Sequence, residues 1–249
     1  MNIHEYGVNN GETLVLLHPS LVKWDYFEYV IPLLETKYHL VIPALPGYDP
    51  ESREDFSCIE VIAKELSQWL LKHNCKNVHA VYGCSMGGSI ALRMVIDHDV
   101  SIGHCILDGG ITPYAYPWII TRCIAIKDFL LMVIGKKGGL QLLQKVFSMD
   151  EYSEEDLQYM ADVFAHTTYR TMWRTFDSSN NYFVPGKMKN PSAKIHYWYG
   201  QKEKKERRRD LRYIEAFFPN TEFVEIEELG HGGLVLKRSA LFAQMIESL

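Results

Sequence analysis

Residues 81–88 read Val-Tyr-Gly-Cys-Ser-Met-Gly-Gly. The apolar run Asn77 to Tyr82 leads into them, and a helical pattern from Met86 to His98 leads out. The stretch is a Gly-x-Ser-x-Gly turn between a strand and a helix, and that context gives it meaning. A serine hydroxyl is a weak nucleophile that must be presented and activated. A tight strand-to-helix turn strains the Ser85 backbone and projects its Oγ above the sheet edge. Glycines at 83 and 87 let neighbouring backbone pass close by. The same turn aims the Met86 N–H, at a helix N-terminus, at a developing oxyanion.

The flanking chain alternates in the same way. Thr13–Leu17 is a continuous apolar run closed by His18-Pro19, which reads as a strand buried on both faces. Trp24 to Tyr38 has helical spacing, and His39–Ile42 is a second strand. Ser57 to His73 is a helix whose Ser57 and Glu60 form a capping box. After the elbow come strands at Gly103–Leu107, Ala193–Tyr199 and Glu222–Ile226, then a last helix from about Gly233 to Ser248. A strand at Ile3–Tyr6 pairs at the sheet edge. Such alternation predicts βαβ units and a parallel sheet. Between the fourth and fifth core strands, residues 111–191 carry only helical periodicity. A structureless connection of that length is improbable in a compact domain, so a helical insertion over the sheet is expected.

Composition narrows the class. A chain of 249 residues holds one large domain or two small ones, and 47% apolar with 23% charged residues excludes disordered and fibrous proteins. Against 31 acidic residues stand 26 Lys and Arg, a formal charge of −5, so no basic excess recommends nucleic acid or an anionic membrane as partner. The five cysteines are scattered without C-x-x-C spacing, which argues against a disulfide framework or a structural zinc site and for a reducing compartment. The N-terminus is polar, without a signal-peptide core. Pro117–Ile134 is interrupted by Arg122, Lys127 and Asp128 and makes a poor membrane span. The expectation is a soluble, cytoplasmic protein. The run Lys202–Arg212 interleaves Glu203, Glu206 and Asp210 among its cations, and reads as a solvated helix face.

A nucleophilic serine needs a base. His231, in Gly230-His231-Gly232, follows the last strand, and its flanking glycines free the loop to bring the imidazole back over the sheet. The third member orients the imidazole and stabilises its charged form. Glu203, just past the fifth strand, and Asp108, just past the fourth, are both strand-end carboxylates on the edge where parallel sheets bind ligands. The first core strand ends at His18-Pro19-Ser20. Proline has no N–H, so the second oxyanion donor falls to the amide of Ser20 or else Leu21, with His18 as a buttress of the loop. Cys84 is the rival nucleophile, and its place inside the turn points it into the sheet.

With these residues in view the chain resembles the α/β-hydrolase superfamily along nearly its whole length. The carriers are the elbow at Ser85, His18-Pro19-Ser20 after the first core strand, Pro46-Gly47-Tyr48 after the next, Gly200-x-x-Glu203 and Gly230-His231-Gly232, in the order serine, acid, histidine. The resemblance implies an α/β fold with a mostly parallel central sheet flanked by helices. It also implies a core of residues 1–110 and 192–249 and a helical cap over 111–191. The family usually has glycine where this chain has Pro19, and aspartate where it has Glu203. A serine nucleophile separates the chain from the family's dehalogenases and epoxide hydrolases. The expected function is a serine hydrolase cleaving a carboxylic ester or related acyl bond through an acyl-enzyme. Ser85, His231 and Glu203 (alternative acid Asp108) form its triad, Met86 and Ser20 its oxyanion hole, and no cofactor or metal is needed. An acyltransferase using the same triad, or a non-catalytic ligand-binding protein, is the alternative. The expected partner is a small apolar or aryl ester, accommodated among the aromatic residues of the cap, and a homodimer is left open.

Overall fold

The computed structural model describes residues 1–114, 116–146, 153–188 and 191–249. Its seven strands are β1 (Asn2–Tyr6), β2 (Thr13–Leu17), β3 (His39–Ala44), β4 (Asn77–Cys84), β5 (Ser101–Asp108), β6 (Lys194–Gly200) and β7 (Glu222–Ile226). They form one sheet in the order β1-β3-β2-β4-β5-β6-β7. Every neighbouring pair is parallel except β1 with β3, which are antiparallel. The fold is therefore the mostly parallel, helix-flanked sheet that the alternating pattern predicts.

Both faces of the sheet are covered, and residue parity decides which side chain meets which layer. Val15 and Leu17 of β2 face one core with α2 (Ile59–Lys72) and α3 (Met86–Asp97). Leu14 and Leu16 face the other, with α1 (Ile31–Leu34) and α9 (Ser239–Glu247). From β3 on one side of β2 the chain crosses to β4 on the other. That reversal opens a crevice at the carboxyl ends of β2 and β4, where open α/β sheets bind ligands. Between β5 and β6 lie α4 (Trp118–Val146, interrupted at Gly139), α5 (Glu154–His166) and α6 (Tyr169–Ser179). After β6 comes α7 (Lys204–Phe217), and after β7 comes α8 (Gly233–Lys237).

Three local expectations are corrected. The helix expected over Trp24–Tyr38 is a 3-10 turn at Trp24–Phe27 followed by the short α1. Pro32 in the first turn of α1 cannot donate to the turn before it, so one helix cannot run through. The capping box of Ser57 and Glu60 does not form, because α2 begins at Ile59 with Cys58 as a cap that makes no side-chain bond. The first turn is closed from outside instead: the Ile59 N–H donates to Ser178 Oγ (2.7 Å), and Glu60 accepts the Phe183 N–H (3.0 Å). The last helix is two, α8 and α9, separated where Arg238 leaves helical geometry.

Two buried histidines make the fold acid-sensitive. His196 sits at the amino end of β6 against His104 of β5, with Nδ1 of His104 and Nε2 of His196 3.1 Å apart. Burial pushes His196 down to about 4, against the pull of Glu222. His18 is wholly buried, and desolvation holds it at about 4 despite its bond to the Pro19 carbonyl. Lowered histidines stay neutral in the fold while the unfolded chain takes up protons below about 6.5. Their stabilisation is therefore full above that pH and is lost as pH falls towards 4. Asp108, whose carboxyl burial raises to about 7, adds stability as pH falls over the same interval. The histidine loss is therefore read in Asp108→Asn, whose urea midpoint should drop by on the order of 1 M between pH 7 and 4. A midpoint independent of pH over that interval would contradict the assignment.

Candidate active site

The elbow is tight. Ser85 has φ 53° and ψ −115°, a strained conformation for a residue with a side chain, and it directly precedes α3. The strain is held by neighbouring backbone. Ser85 N–H donates to the Asp108 carbonyl (2.9 Å), and the Ile111 N–H donates to the Ser85 carbonyl (3.2 Å). A side chain at Gly87 would meet the Leu17 carbonyl oxygen at 2.3 Å, so only glycine lets α3 start against the end of β2. That contact sets the Met86 amide, at the first position of α3, beside the loop at residues 18–20. Among the described residues neither the Met86 nor the Ser20 N–H has an acceptor. Leu21, next in the loop, has φ 68°.

His18 fixes that loop. Its Nδ1 lies 2.8 Å from the Pro19 carbonyl, and the Leu45 N–H donates to its Nε2 (3.3 Å). Nε2 must be unprotonated to accept, so Nδ1 carries the proton, and neither nitrogen is left for chemistry.

His231 and Glu203 are brought together. Nδ1 of His231 is 2.6 Å from Glu203 Oε2. Two turns are laced to each other to achieve this: the Lys202 N–H donates to the Leu229 carbonyl (3.0 Å), and the Glu228 N–H to Gln201 Oε1 (3.3 Å). The other carboxylate oxygen, Oε1, accepts the Gly200 N–H (3.0 Å). Burial pushes the Glu203 carboxyl up, but the bond and charge of His231, the Gly200 N–H and Arg207 outweigh it, and the net shift is downward. Glu203 is thus a carboxylate at neutral pH, as an imidazolium partner must be.

Asp108 is placed differently. Its side chain shares the face of Ile106, and the Tyr82 hydroxyl donates to Oδ2 at 2.5 Å. Burial, with the Glu203 charge second, raises its carboxyl to about 7. Cys84 is fully buried on the same face, and desolvation, reinforced by Asp108 and Glu203, drives its thiol far above the ordinary range. A thiol so shifted supplies no thiolate for attack.

Ser85 and the His231–Glu203 pair both rest on the loop after β5. Ser85 is bonded to Asp108 and Ile111, and the His231–Glu203 pair rests on Gly109. Gly109 has φ 54°, and a Cβ there would stand 2.8 Å from His231 Nδ1 and 2.9 Å from Glu203 Oε2. Tyr26 closes the other side, its hydroxyl donating to the Gly232 carbonyl (2.8 Å).

Sequence reasoning missed a second tier. Arg207 of α7 places Nε 3.6 Å from Glu203 Oε2 and Nη1 3.3 Å from both the Gly109 carbonyl and Asp210 Oδ2. Asp210 is buried and accepts the Thr112 N–H (2.9 Å), the Thr112 hydroxyl (2.7 Å) and Arg209 (2.7 Å). The run expected to be a solvated face therefore turns Arg207 and Asp210 inward to clamp the β5 exit. Nothing in the sequence singles the two out, since charged residues three apart recur all along the run. Among the aromatics expected to line a pocket, Tyr116, Trp118 and Phe183 are exposed, and Trp173 packs edge-on against Phe129. Among the described residues no cluster of His, Cys, Asp or Glu has metal-holding geometry.

Gly109→Ala should break the His231–Glu203 bond and cost about 1–3 kcal/mol from the strained φ alone. The downfield Nδ1 proton resonance of His231 reads the bond. Its persistence in a folded Gly109→Ala protein would show that the contact is not needed.

Comparisons with known proteins agree with this architecture. The sequence model described as the alpha/beta hydrolase family matches residues 14–245. The magnesium-chelatase 30 kDa subunit of Rhodobacter capsulatus is 33% identical over 97 residues, 38% of this chain and 34% of that protein. A pimeloyl-[acyl-carrier protein] methyl ester esterase of Vibrio vulnificus is 31% identical over 97 residues, 39% of this chain and 36% of its own length. These matches span about a third of each relative. Among solved structures, an alpha/beta hydrolase family protein from Desulfitobacterium hafniense superposes with a TM-score of 0.76 over 99% of both chains at 21% identity, a likeness of fold.

Proposed function

The chain belongs to the alpha/beta hydrolase family, and within it we propose that it is a serine hydrolase cleaving a small apolar or aryl carboxylic ester. The observation that carries the reading is a strained Ser85 elbow and a histidine whose Nδ1 is held by a buried carboxylate, both set against the loop after β5. With Nδ1 engaged by Glu203, Nε2 of His231 is the nitrogen that takes the Ser85 proton as Oγ attacks the ester carbonyl. The Met86 and Ser20 amides stabilise the oxyanion, as their lack of acceptors supports. His231 returns the proton to the departing alcohol, leaving an acyl-enzyme. It then activates water to release the acid.

Residues 111–191 act as a cap over this site and set specificity, with 1–110 and 192–249 as the hydrolase core. Contacts between the two support this. Leu21 packs with Leu143, Leu157, Phe164 and Met172, and the hydroxyls of Tyr48 and Thr175 lie 2.9 Å apart. The Vibrio relative's name supports an ester as the bond class. The five cysteines are unpaired, which supports a cytoplasmic location.

Ser85→Ala should lower turnover of an aryl ester by roughly 10⁴–10⁶-fold and abolish labelling by a fluorophosphonate probe. A variant keeping more than a few per cent of activity would remove Ser85 as nucleophile.

The acid is tested by a pair. Glu203→Gln should cost about 10⁴-fold in kcat, the scale of a lost orienting carboxylate. Asp108→Asn should stay within a few-fold of wild type and lose no stability at pH 8, because it removes a buried carboxylate that resists ionisation. The reverse ranking would assign the acid to Asp108.

A further inference from the structure

The outward face of α4 is built unlike a surface helix. Its inward side, with Ala125, Phe129, Met132 and Leu143, packs towards α5 and α6. The opposite side should be polar. Instead Ile119, Ile120, Ile126, Leu130, Leu131 and Ile134 are 45–64% exposed. From Ile119 to Ile134 they form an apolar strip about 22 Å long. At its amino end Trp118 is 70% exposed, with Tyr116 beside it. An exposed apolar patch of this extent marks an interaction surface.

Charge selects the partner. Helix α4 carries Arg122, Lys127, Lys136, Lys137 and Lys145 against one acid, Asp128, in a chain of net charge −5. Three of these cations are engaged within the chain: Arg122 pairs with Asp177, Lys127 with Asp128 (3.1 Å), and Lys136 donates to the carbonyls of Phe164, Ala165 and Thr167, which leaves its charge in place. Lys127, Lys137 and Lys145 are exposed, and no exposed residue from 118 to 145 is Asp or Glu. A second copy docked on this face would set lysines against lysines inside an apolar seam. An anionic lipid surface receives the same pattern favourably. Aliphatic side chains enter the acyl boundary, lysines snorkel to the headgroups, and Trp118 sits at the interfacial depth that tryptophan prefers. Among the described residues no helix is long and apolar enough to cross a membrane, so α4 would meet such a surface lying along it. Net charge over the whole chain pointed away from this partner, but screening over about 8 Å leaves local charge to decide.

We propose that the outward face of α4, from Trp118 to Lys137, is a docking surface for an anionic lipid bilayer. The inference stands apart from the reading of Ser85, and its test does not use catalysis. The full chain is sedimented with vesicles of phosphatidylcholine alone and of phosphatidylcholine and phosphatidylglycerol in equal parts. It should pellet with the mixed vesicles, remain in solution with phosphatidylcholine alone, and be released by high salt. Ile126→Glu combined with Leu130→Glu should lower the bound fraction at least roughly tenfold, given the apolar area withdrawn. Should that variant fail to fold, Lys127→Glu with Lys137→Glu tests the same face through its charge, with the same expected loss. Thermal melting reports folding. Failure of the wild type to pellet with mixed vesicles, equal pelleting with phosphatidylcholine alone, or binding unchanged in the folded variants would overturn the proposal. So would a dimer dispersed by the glutamate substitutions without vesicle binding, which would make the partner a second copy.

Discussion

The site depends on one close approach of backbone to backbone. Helix α3 begins where β4 ends, and its first turn lies against the last carbonyls of β2, at a distance that excludes any Cβ at Gly87. Ser85 is consequently held at φ 53°. Strain of this kind, worth about 1–3 kcal/mol, persists only where surrounding structure over-determines it. Here the determinants are backbone hydrogen bonds to Asp108 and from Ile111 at the exit of β5. The β5 exit therefore restrains Ser85 from one side and, through Gly109, carries the histidine–carboxylate pair on the other. A loop that reads as a simple glycine turn is the common floor of the site.

That floor is itself braced. Arg207 reaches the Gly109 carbonyl and lies near Glu203, while Asp210 gathers Thr112, Arg207 and Arg209. Buried charges are costly unless their polar atoms are satisfied, and Asp210 meets that condition with donors from three residues. Thr112 leads into the helices between β5 and β6, and the Tyr114 N–H bonds to the Asn180 carbonyl where those helices return. One ionic cluster thus ties the acid turn, the β5 exit and the root of the helical segment.

Much of this was legible in the sequence, for reasons that differ by element. The parallel sheet follows from apolar runs alternating with helical periods, and the elbow from glycine spacing in that context. His231 stood out because glycines flank it at the end of a strand. The extent of α2 was legible to within two residues, but its cap was not: the Ile59 N–H is taken by Ser178 and Glu60 is used by Phe183, partners more than a hundred residues away. Nor was the inward turn of Arg207 and Asp210, since a charge-rich stretch gives no contrast between its two faces. The choice between Glu203 and Asp108 was hidden by burial. In a strand covered on both sides, Ile106 and Leu107 are equally apolar, so alternation leaves no mark of which face Asp108 takes.

The structure separates those two carboxylates by environment, and the separation is mutual. Glu203 accepts a backbone N–H and the His231 ring and lies near a guanidinium, so its charge is favoured despite burial. Asp108 has one hydroxyl donor, from Tyr82, in an apolar layer, and the charge on Glu203 adds to its reluctance to ionise. The two carboxyls are thereby shifted in opposite directions, Glu203 down and Asp108 up. The Asp108 carboxyl anchors the Tyr82 hydroxyl. The backbone at 108 then holds Ser85, and its side chain holds the layer below, without competing for the histidine.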